Sequence, residues 1–332
     1  MEALIEYSLP TVVLLNWNGW RDTLACLDSL FAEGATPCRV LVCDNGSQDV
    51  SIVEMLAWGQ SRLGAQCAHL TRADVEAGAV LPDEVQLAFI ENGANLGFAA
   101  GNNMGIRLAL RDAACQFIWV LNNDTVVRPD ALQRALDQMT TDPVIGLCGS
   151  TLMYFDQPEK VQALGGAVYS RWSGRSRHLG AFAPLSVVPT DGRAIAAQFS
   201  YVVGAAMLVS RAFLERVGLM REDYFLYYEE VDWATRGAAA GFRLAYAPDS
   251  VVFHKEGASI GTSASGGSPL SLYFLFRNRI RFCARFHPLF LPSVLAFCAI
   301  DIFKFSVRKC RPQAAAALRG TLQLPRAAAC GK

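Results

Sequence analysis

Three carboxylates stand within four residues in the segment Tyr224-Phe225-Leu226-Tyr227-Tyr228-Glu229-Glu230-Val231-Asp232-Trp233. Aromatic side chains accompany these acids, Glu229, Glu230 and Asp232. A neighbouring negative charge and an apolar wall both raise the pKa of a carboxyl group, which suits a general base that works near neutral pH. The alternative is an acidic first turn of a helix, where carboxylates face the positive end of the helix dipole. The residues alone leave both interpretations open, and Glu229, Glu230 and Asp232 are the candidates for a catalytic base.

A second polar group, Asn122-Asn123-Asp124-Thr125, directly follows an apolar run. A carboxylate at the tip of a strand is placed to bind a divalent metal, and such a metal would neutralise a diphosphate. His254 also follows an apolar run, at 251–253, and is a second candidate. The alternatives are a helix cap ahead of Pro129 and a structural histidine.

Two further segments carry groups that could bind a nucleotide. In Asp44-Asn45-Gly46-Ser47 the carboxylate could accept the imide N–H of a uracil or thymine ring; the alternative is an ordinary Asx turn with a helix cap. The segment 95–103 holds two glycines and three asparagines, and we expect a flexible loop that could cradle a ribose or a diphosphate. The alternative is a glycine-rich connection. The segment matches neither the G-K-[ST] signature of a P-loop nor G-x-G-x-x-G.

Alternating strands and helices must position these groups. Strand, polar loop and helix repeat along the first half of the chain, which predicts a parallel sheet whose ligands bind at the carboxyl ends of the strands. Residues 59–84 lack clear periodicity and are interpreted as an insertion or surface segment, and 258–268 as a mobile Gly/Ser-rich loop. The predicted buried strands are 11–15, 40–43, 85–90 and 117–121.

The composition indicates a globular chain. It has 332 residues, of which 52% are hydrophobic and 18% charged, enough for one large domain or two modest ones and too apolar for wholesale disorder. Ten cysteines occur without a C-x-x-C pair, which favours free thiols in a reducing compartment over disulfides or zinc. The first ten residues lack a basic region, so we expect no signal peptide and a cytoplasmic location.

The charges are unevenly placed, because residues 277–332 hold eleven basic residues against one acid. Leu289–Phe305 is apolar but has only 17 residues, whereas a spanning helix needs about 20. We expect a helix that either packs on the rest of the protein or lies in an anionic membrane interface. Its apolar face would then be formed by Leu295, Phe297, Ile300, Ile302, Phe303 and Phe305.

In their order along the chain, these motifs resemble the family 2 inverting glycosyltransferases, in particular the branch that includes bacterial rhamnosyltransferases. The order is Asn-Trp-Asn, Asp-Asn-Gly-Ser, Asn-Leu-Gly-Phe-Ala-Ala-Gly-Asn-Asn, Asn-Asn-Asp, Tyr-Glu-Glu-Val-Asp-Trp and then His, from about Thr11 to Phe286. The resemblance implies the A-type glycosyltransferase fold, an α/β fold with a Rossmann-like, mostly parallel sheet and a smaller mixed acceptor half. The expected organisation is a catalytic domain at 1–286, divided near residue 125 into nucleotide-binding and acceptor halves, and a basic, apolar tail at 287–332.

The resemblance also assigns roles to residues. Asp124 and His254 would be ligands of Mg²⁺ or Mn²⁺, and Glu230 would stand in the place of a catalytic Asp. Two departures are visible: Asn122 replaces the first acid of the D-x-D element, and a Glu at 230 is one methylene longer, which leaves open whether Glu229 or Glu230 acts. The residues implied for the nucleotide-sugar site are Asn16, Asn18, Asp44, Asn45, Ser47, Asn95, Gly97, Asn102, Asn122 and Asn123.

The activity implied by the resemblance is metal-dependent transfer of a sugar, L-rhamnose among the candidates, in cell-surface polysaccharide synthesis. The expected partners are a dTDP- or UDP-sugar donor, a glycan or lipid-linked acceptor and an anionic membrane surface at the inner face of the membrane, and no nucleic acid. The rival hypotheses are a nucleotidyltransferase and a non-catalytic protein that binds nucleotide sugars or glycans.

Overall fold

The computed structural model of the protein describes residues 9–187, 191–255 and 267–325, so the first eight residues and most of the predicted Gly/Ser-rich loop at 258–268 lie outside it. The strands are β1 (Thr11–Asn16), β2 (Arg39–Asp44), β3 (Cys67–Thr71), β4 (Leu87–Glu91), β5 (Phe117–Asn122), β6 (Thr125–Val127), β7 (Ile145–Tyr154), β8 (Val161–Leu164), β9 (Gly166–Tyr169), β10 (Ser176–His178), β11 (Tyr201–Val202), β12 (Ala206–Ser210) and β13 (Arg243–His254). The helices are α1 (Trp20–Leu30), α2 (Ser51–Leu63), α3 (Arg72–Ala77), α4 (Gly97–Ala109), α5 (Ala131–Met139), α6 (Gly192–Ala196), α7 (Arg211–Val217), α8 (Glu229–Ala239), α9 (Pro269–Phe286), α10 (Leu291–Val307) and α11 (Arg311–Thr321).

One large sheet organises the described part of the chain. Its strand order is β3-β4-β2-β1-β5-β12-β7-β13-β6, with β8 paired to β7. The strands from β3 to β5 run parallel, β12 is antiparallel to both β5 and β7, and β13 is parallel to β7. A second sheet has the order β10-β9-β11. The mostly parallel α/β sheet predicted from the sequence is therefore confirmed, with antiparallel strands in its second half.

Helices cover both faces of the large sheet. Because successive side chains of a strand point to opposite faces, Val13 belongs to the core with Met104 of α4, whereas Val12 and Leu14 belong to the core with Leu27 of α1. This three-layer arrangement leaves the carboxyl ends of β1, β2, β4 and β5 at one edge of the sheet, where the loops carry the polar motifs.

The segment 59–84, interpreted as an insertion or surface segment, lies at the surface but is a regular part of the fold rather than an insertion. It contains the end of α2, the edge strand β3, which pairs in parallel with β4, and the short helix α3. At the border of the sheet only Cys67 of β3 is buried, while its other residues are half-buried or exposed. An edge strand of this kind lacks the continuous apolar run by which buried strands are recognised.

The C-terminal helices pack on the rest of the protein through α9. Leu272, Phe276 and Ile280 of α9 form a core with Val294 and Cys298 of α10 and with Ala317 of α11. Phe282 of α9 belongs to the main core. The C-terminal tail also contacts the body directly, because Asp301 of α10 pairs with Arg175 and the hydroxyl of Ser293 donates to the carbonyl of Trp172.

A second face of α10 is exposed. With the turn before it, the helix spans Pro288–Val307, 20 residues with a mean hydropathy of 1.8, so it is long and apolar enough to cross a membrane by length and composition alone. Of the predicted apolar face, Ile302 and Phe305 pack against the α9 core and Phe297 lies under the guanidinium of Arg175. The residues that are exposed instead form a stripe at helical spacing: Pro292, Leu295, Ala296, Ala299, Ile300, Phe303 and Val307.

Candidate active site

The ends of β1 and β2 bring Asn16 and Asp44 together. The two residues are register partners in adjacent parallel strands, and Nδ2 of Asn16 donates to Oδ1 of Asp44 at 2.8 Å. The hydroxyl of Ser47 also donates to Oδ1 at 2.6 Å, and the backbone N–H of Ser47 donates to Oδ2 at 2.9 Å. Oδ2 of this buried carboxylate can accept one further donor, as the binding of an imide N–H would require.

Asn18 closes the same cluster from the loop after β1. Its backbone N–H donates to Oγ of Ser47 at 2.8 Å, and its Oδ1 accepts the backbone N–H of Gln48 at 2.8 Å. Asn18 has a φ of 52°, a left-handed conformation that asparagine tolerates better than most residues. The structure thus brings Asn16, Asn18, Asp44 and Ser47 into one hydrogen-bonded group.

A second group is centred on Asn45. Its Nδ2 donates to Oδ1 of Asn95 at 3.0 Å and to the carbonyl of Gly97 at 3.2 Å. Its Oδ1 accepts from the backbone N–H of Leu96 at 3.1 Å and from Nδ2 of Asn92 at 3.3 Å. These bonds hold the loop after β4 against the loop after β2, at the same edge of the sheet.

The segment 95–103 is not a flexible loop, because α4 begins at Gly97. Gly101 lies so close to β1 that an added Cβ would be 2.4 Å from Leu15. Asn102 is buried within the helix, where its Nδ2 donates to the carbonyl of Phe98 at 2.9 Å. The glycine thus permits close packing of helix on strand, and Asn102 is a helix residue rather than part of a mobile cradle.

Asn123 is also buried. Its Nδ2 donates to Oγ1 of Thr23 at 2.9 Å, and Thr23 in turn donates to Oδ1 of Asn16 at 2.8 Å. Asn123 therefore connects the end of β5 to α1 and β1. Its hydrogen bonds stabilise the edge of the sheet at which the polar motifs lie.

Asp124 and His254 meet because β13 pairs with β6, which places His254 opposite Thr125. Nε2 of His254 lies 3.1 Å from Oδ1 of Asp124 and 3.3 Å from Nδ2 of Asn122. Nδ1 of His254 lies 2.9 Å from Oε1 of Gln162, which only accepts, so Nδ1 carries a proton. In the neutral ring Nε2 then presents a lone pair to the carboxylate oxygen. A divalent cation between these two atoms would satisfy both, with Gln162 orienting the ring from behind.

Asp124 and His254 would supply only part of a coordination sphere. Within residues 9–187, 191–255 and 267–325, no group of three or more His, Cys, Asp or Glu side chains is arranged to hold a metal ion. Mg²⁺ in phosphate-binding sites commonly takes one or two carboxylates and completes its shell with water and substrate phosphates. The arrangement fits a metal that is held jointly with a diphosphate.

A strained turn presents the two adjacent glutamates at the start of α8. Phe225, Tyr227 and Tyr228 have φ values of 69°, 68° and 77°, which bulky residues rarely adopt. Asn278 of α9 fixes this turn, because its buried Nδ2 donates to the carbonyls of Tyr224, Leu226 and Tyr227 at 2.8, 2.7 and 3.0 Å. Strain of this kind persists only where surrounding contacts over-determine the backbone.

The two glutamates differ in environment. Glu229 is buried, its Oε2 has no hydrogen-bond partner in the described structure, and burial followed by the charge of Glu230 raises its pKa well above the usual range. Burial therefore favours the protonated form of Glu229 over its carboxylate. Glu230 is half-buried and lines a cavity, and burial raises its pKa to about 7. Of the two, Glu230 has the access and the pKa of a general base.

Asp232 has a different role from the one predicted. It is fully buried, and its carboxylate accepts from Nε of Arg236 at 2.6 Å, from the hydroxyl of Tyr224 at 3.0 Å and from Arg285 at 3.3 Å. It is not among the described side chains that line the cavity. These contacts join α8 to Tyr224 and to α9, so the structure makes Asp232 a support of α8.

The cavity beside Glu230 has a volume of about 440 Å³, within the range of about 300–1,000 Å³ typical of small-molecule sites. Tyr201 of β11 and Tyr227 line the cavity together with Glu230. Residues of α9 and α10 form its other wall. The site is thus assembled from the second sheet, the start of α8 and the C-terminal helices.

Sequence reasoning did not identify Thr23, Gln162, Tyr201 or Asn278. Each lies far along the chain from the group that it contacts, and none stands in a polar cluster. The one local signal was Asn278, an isolated amide in an apolar and basic run.

Comparisons with known proteins identify the family and the fold. The family model described as Glycosyl transferase family 2 matches residues 11–203, more than half of the chain. A low-salt glycan biosynthesis hexosyltransferase, Agl10 of Haloferax volcanii, is 21% identical over 276 residues, which cover 81% of this chain and 73% of the relative. An N-acetylglucosaminyl-diphospho-decaprenol L-rhamnosyltransferase of Mycobacterium tuberculosis is 27% identical over 251 residues, which cover 71% of this chain and 72% of the relative.

Among solved structures, the mannosyltransferase PcManGT of Pyrobaculum calidifontis, in complex with GDP-Man and Mn²⁺, superposes with a TM-score of 0.54 and 15% identity. The superposition covers 96% of this chain and 88% of the mannosyltransferase. At that identity the likeness concerns the fold, and it is the A-type glycosyltransferase fold predicted from the sequence. The chain belongs to glycosyl transferase family 2.

Proposed function

We propose that the protein is an inverting, metal-dependent glycosyltransferase that moves a sugar from a nucleotide-diphosphate sugar to a hydroxyl group of a glycan or lipid-linked acceptor. The observation that carries this proposal is the half-buried Glu230, which lines a ligand-sized cavity and has a pKa raised to about 7. Such a carboxylate can take a proton from a hydroxyl group near neutral pH.

In this reaction Glu230 accepts the proton of the acceptor hydroxyl, whose oxygen forms a bond to the anomeric carbon of the donor. The bond from that carbon to the diphosphate breaks, and the nucleotide diphosphate leaves with the electron pair. Attack from the face opposite the leaving group inverts the anomeric configuration, through an oxocarbenium-like state as in glycoside hydrolysis. Glu229 lies buried beside the base and does not line the cavity in the described structure.

We assign the nucleoside to the group formed by Asn16, Asn18, Asp44 and Ser47. Oδ2 of Asp44 is available to a donor such as the imide N–H of uracil or thymine, which supports a UDP- or dTDP-sugar. Asn45 and Asn95 hold the adjoining loop, whose Gly97 begins α4. Asn102 and Asn123 act indirectly, by packing and by supporting the sheet edge.

Asp124 and His254 are the proposed protein ligands of Mg²⁺ or Mn²⁺. The metal, when bound, neutralises charge on the leaving diphosphate. Asn122 lies against His254, and Gln162 sets the tautomer of the imidazole. The mannosyltransferase of the same fold was solved with a nucleotide sugar and Mn²⁺, which is consistent with this assignment.

The rhamnosyltransferase relative supports L-rhamnose as one donor sugar. We propose cell-surface polysaccharide synthesis as the setting. We further propose a cytoplasmic protein that associates with the inner face of the membrane through α10. Family membership favours glycosyl transfer over nucleotidyl transfer. A non-catalytic binding protein would have no need of a free base in the cavity.

The decisive experiment incubates the full-length protein with a panel of UDP-, dTDP- and GDP-sugars and a divalent metal, and measures released nucleotide diphosphate. We expect release from one or a few donors, and none after excess chelator. Binding of a nucleotide sugar without release under any condition would favour the non-catalytic alternative. Nuclear magnetic resonance of the product anomeric proton tests inversion.

A further inference from the structure

The cavity that Glu230 lines continues to the C-terminal helices, which the matched family region at 11–203 does not include. Its opposite wall is apolar and is made by Leu272, Leu275 and Phe276 of α9 with Phe305 of α10. Leu275 is exposed and Phe305 is half-buried, so this wall offers apolar surface to a ligand. A sugar alone would leave such a wall without a partner.

The same wall carries unbalanced positive charge. Asp301 is paired with both Arg175 and Arg279, the latter at 3.0 Å, so its carboxylate is fully compensated. Lys304 and Arg308 also line the cavity, and neither has an ion-pair partner within the described residues. Two like charges four residues apart on one helix face repel each other, and an anion between them would relieve that repulsion.

The exposed stripe of α10 adjoins this charged face. The spacing of Asp301, Lys304, Phe305 and Arg308 sets them on the cavity side of the helix, while Ile300 and Phe303 belong to the exposed stripe. One helix therefore presents a cationic face to the cavity and an apolar face to the surroundings. This arrangement matches an amphiphilic ligand that has an anionic group between a polar end and an apolar chain.

We propose that the cavity binds a lipid-linked saccharide phosphate, with the sugar hydroxyl at Glu230, the phosphate at Lys304 and Arg308, and the lipid chain along Leu275, Phe276 and Phe305. The inference rests on the proposed function and deepens it, because it chooses the lipid-linked acceptor over a free glycan and assigns its phosphate and lipid chain to named residues. Phosphate oxygens accept charge-assisted hydrogen bonds from both cations.

The test is calorimetric binding of dodecyl phosphate, kept below its micellar concentration, to the full-length protein. Two further ligands separate the contributions: inorganic phosphate lacks the chain, and dodecyl maltoside lacks the charge. We expect dodecyl phosphate to bind and the other two to bind at least about tenfold more weakly, because each lacks one of the two contacts that the wall offers.

The variant pair Lys304→Gln/Arg308→Gln should weaken dodecyl phosphate binding by about tenfold or more, since it removes both charge-assisted contacts. The matched control is Lys309→Gln/Arg311→Gln, which removes two exposed charges from the same segment that do not line the cavity. The control should bind as the wild type does. All four side chains are exposed, so both pairs should fold, and circular dichroism checks this.

Three results would overturn the proposal. Equal binding of inorganic phosphate would indicate a free-phosphate site, and an equal loss of binding in the control pair would indicate general attraction to a basic tail. The third is that dodecyl phosphate does not bind to the wild type. Release of nucleotide diphosphate from the donor, measured on the wild type without acceptor, tests the proposed function separately. A protein that turns over the donor but ignores dodecyl phosphate refutes only the acceptor site.

Discussion

The backbone N–H of Phe98 donates a 2.7 Å hydrogen bond to the carbonyl of Phe225. This bond joins the first turn of α4, at the proposed donor site, to the strained turn that presents Glu230. Asn278 holds the same turn from the side of α9. The turn before α8 therefore contacts α4 on one side and α9 on the other. It also carries Glu230, the proposed general base.

Gly97→Ala should disturb this connection. Gly97 has a φ of 83°, and an added Cβ would lie 2.3 Å from the carbonyl oxygen of Phe225. The turn would have to move, and we expect kcat/KM for donor turnover to fall on the order of a hundredfold, as misplacement of a catalytic group by about 1 Å can cause. The measurement is steady-state release of nucleotide diphosphate.

Gly93→Ala is the matched control. Gly93 has a φ of 74° but nothing within 4 Å of an added Cβ. Both variants should lose about 1–2 kcal/mol of stability from the left-handed backbone, and only the first should lose most of its activity. Equal activity losses would mean that the Phe225 contact is unimportant.

Glu230→Gln should abolish turnover while donor binding is retained, because the amide is nearly isosteric but cannot accept the proton. Glu229→Gln should remain active, because Glu229 is buried and is not among the described residues that line the cavity. Turnover and calorimetric donor binding of both variants check this. An inactive Glu229→Gln beside an active Glu230→Gln would assign the base to the other residue.

The pH dependence follows from the pKa of Glu230, which burial raises to about 7. The basic form gains population as pH increases, so kcat/KM should rise about tenfold per unit below pH 7 and level off above it. A carboxyl with a folded pKa above its unfolded value of about 4.3 binds more protons when folded. The contribution of Glu230 to the free energy of unfolding is therefore lost as pH rises from about 4.3 through 7.

Glu230→Gln removes that proton linkage. The decrease of Tm between pH 5 and pH 8 should be smaller in this variant than in the wild type. Differential scanning calorimetry at both pH values provides the comparison, and identical decreases would argue against the raised pKa.

Asp124→Ala should lower donor turnover by on the order of a hundredfold or more, as the loss of an important electrostatic contact to the transition state does. It should also weaken Mn²⁺ binding in the presence of nucleotide diphosphate, measured by electron paramagnetic resonance. Asp28→Ala serves as a control, because Asp28 is exposed and its described contacts are surface contacts with Arg62 and Trp58. Full activity of the wild type in excess chelator would refute the metal requirement.

Full-length protein should sediment with anionic vesicles at low salt and dissociate at high salt, because each basic residue near such a surface contributes about 1 kcal/mol. Ile300→Ser/Phe303→Ser should reduce this binding by removing the centre of the exposed stripe. Val53→Ser/Val80→Ser changes two strongly exposed valines elsewhere and should have no effect. Point variants are preferable to truncation after Phe286, which would strip α10 and α11 from the core that they share with α9.

A protein that ignores anionic vesicles at low ionic strength would contradict the membrane proposal. The exposed stripe would then be an ordinary feature of a C-terminal helix.

The sequence by itself determined the elements whose signals are local. Buried strands such as β2 and β5 are apolar runs, and the acids at their ends, Asp44 and Asp124, necessarily lie at one edge of a parallel sheet. The start of α8 and the candidate base Glu230 follow from a pattern of ten consecutive residues. Local periodicity and the geometry of parallel sheets were sufficient for these inferences.

Only the tertiary structure decided the rest. Whether Asn102 lay in a loop depended on where α4 packs against β1, and whether Asp232 was catalytic depended on Arg285, 53 residues away. Too few residues of the edge strand β3 are buried for its sequence to show a continuous apolar run. Gln162 and Lys304 join their sites through contacts between distant segments. Local patterns of hydrophobicity and charge do not encode such contacts, because they arise when the layers pack together.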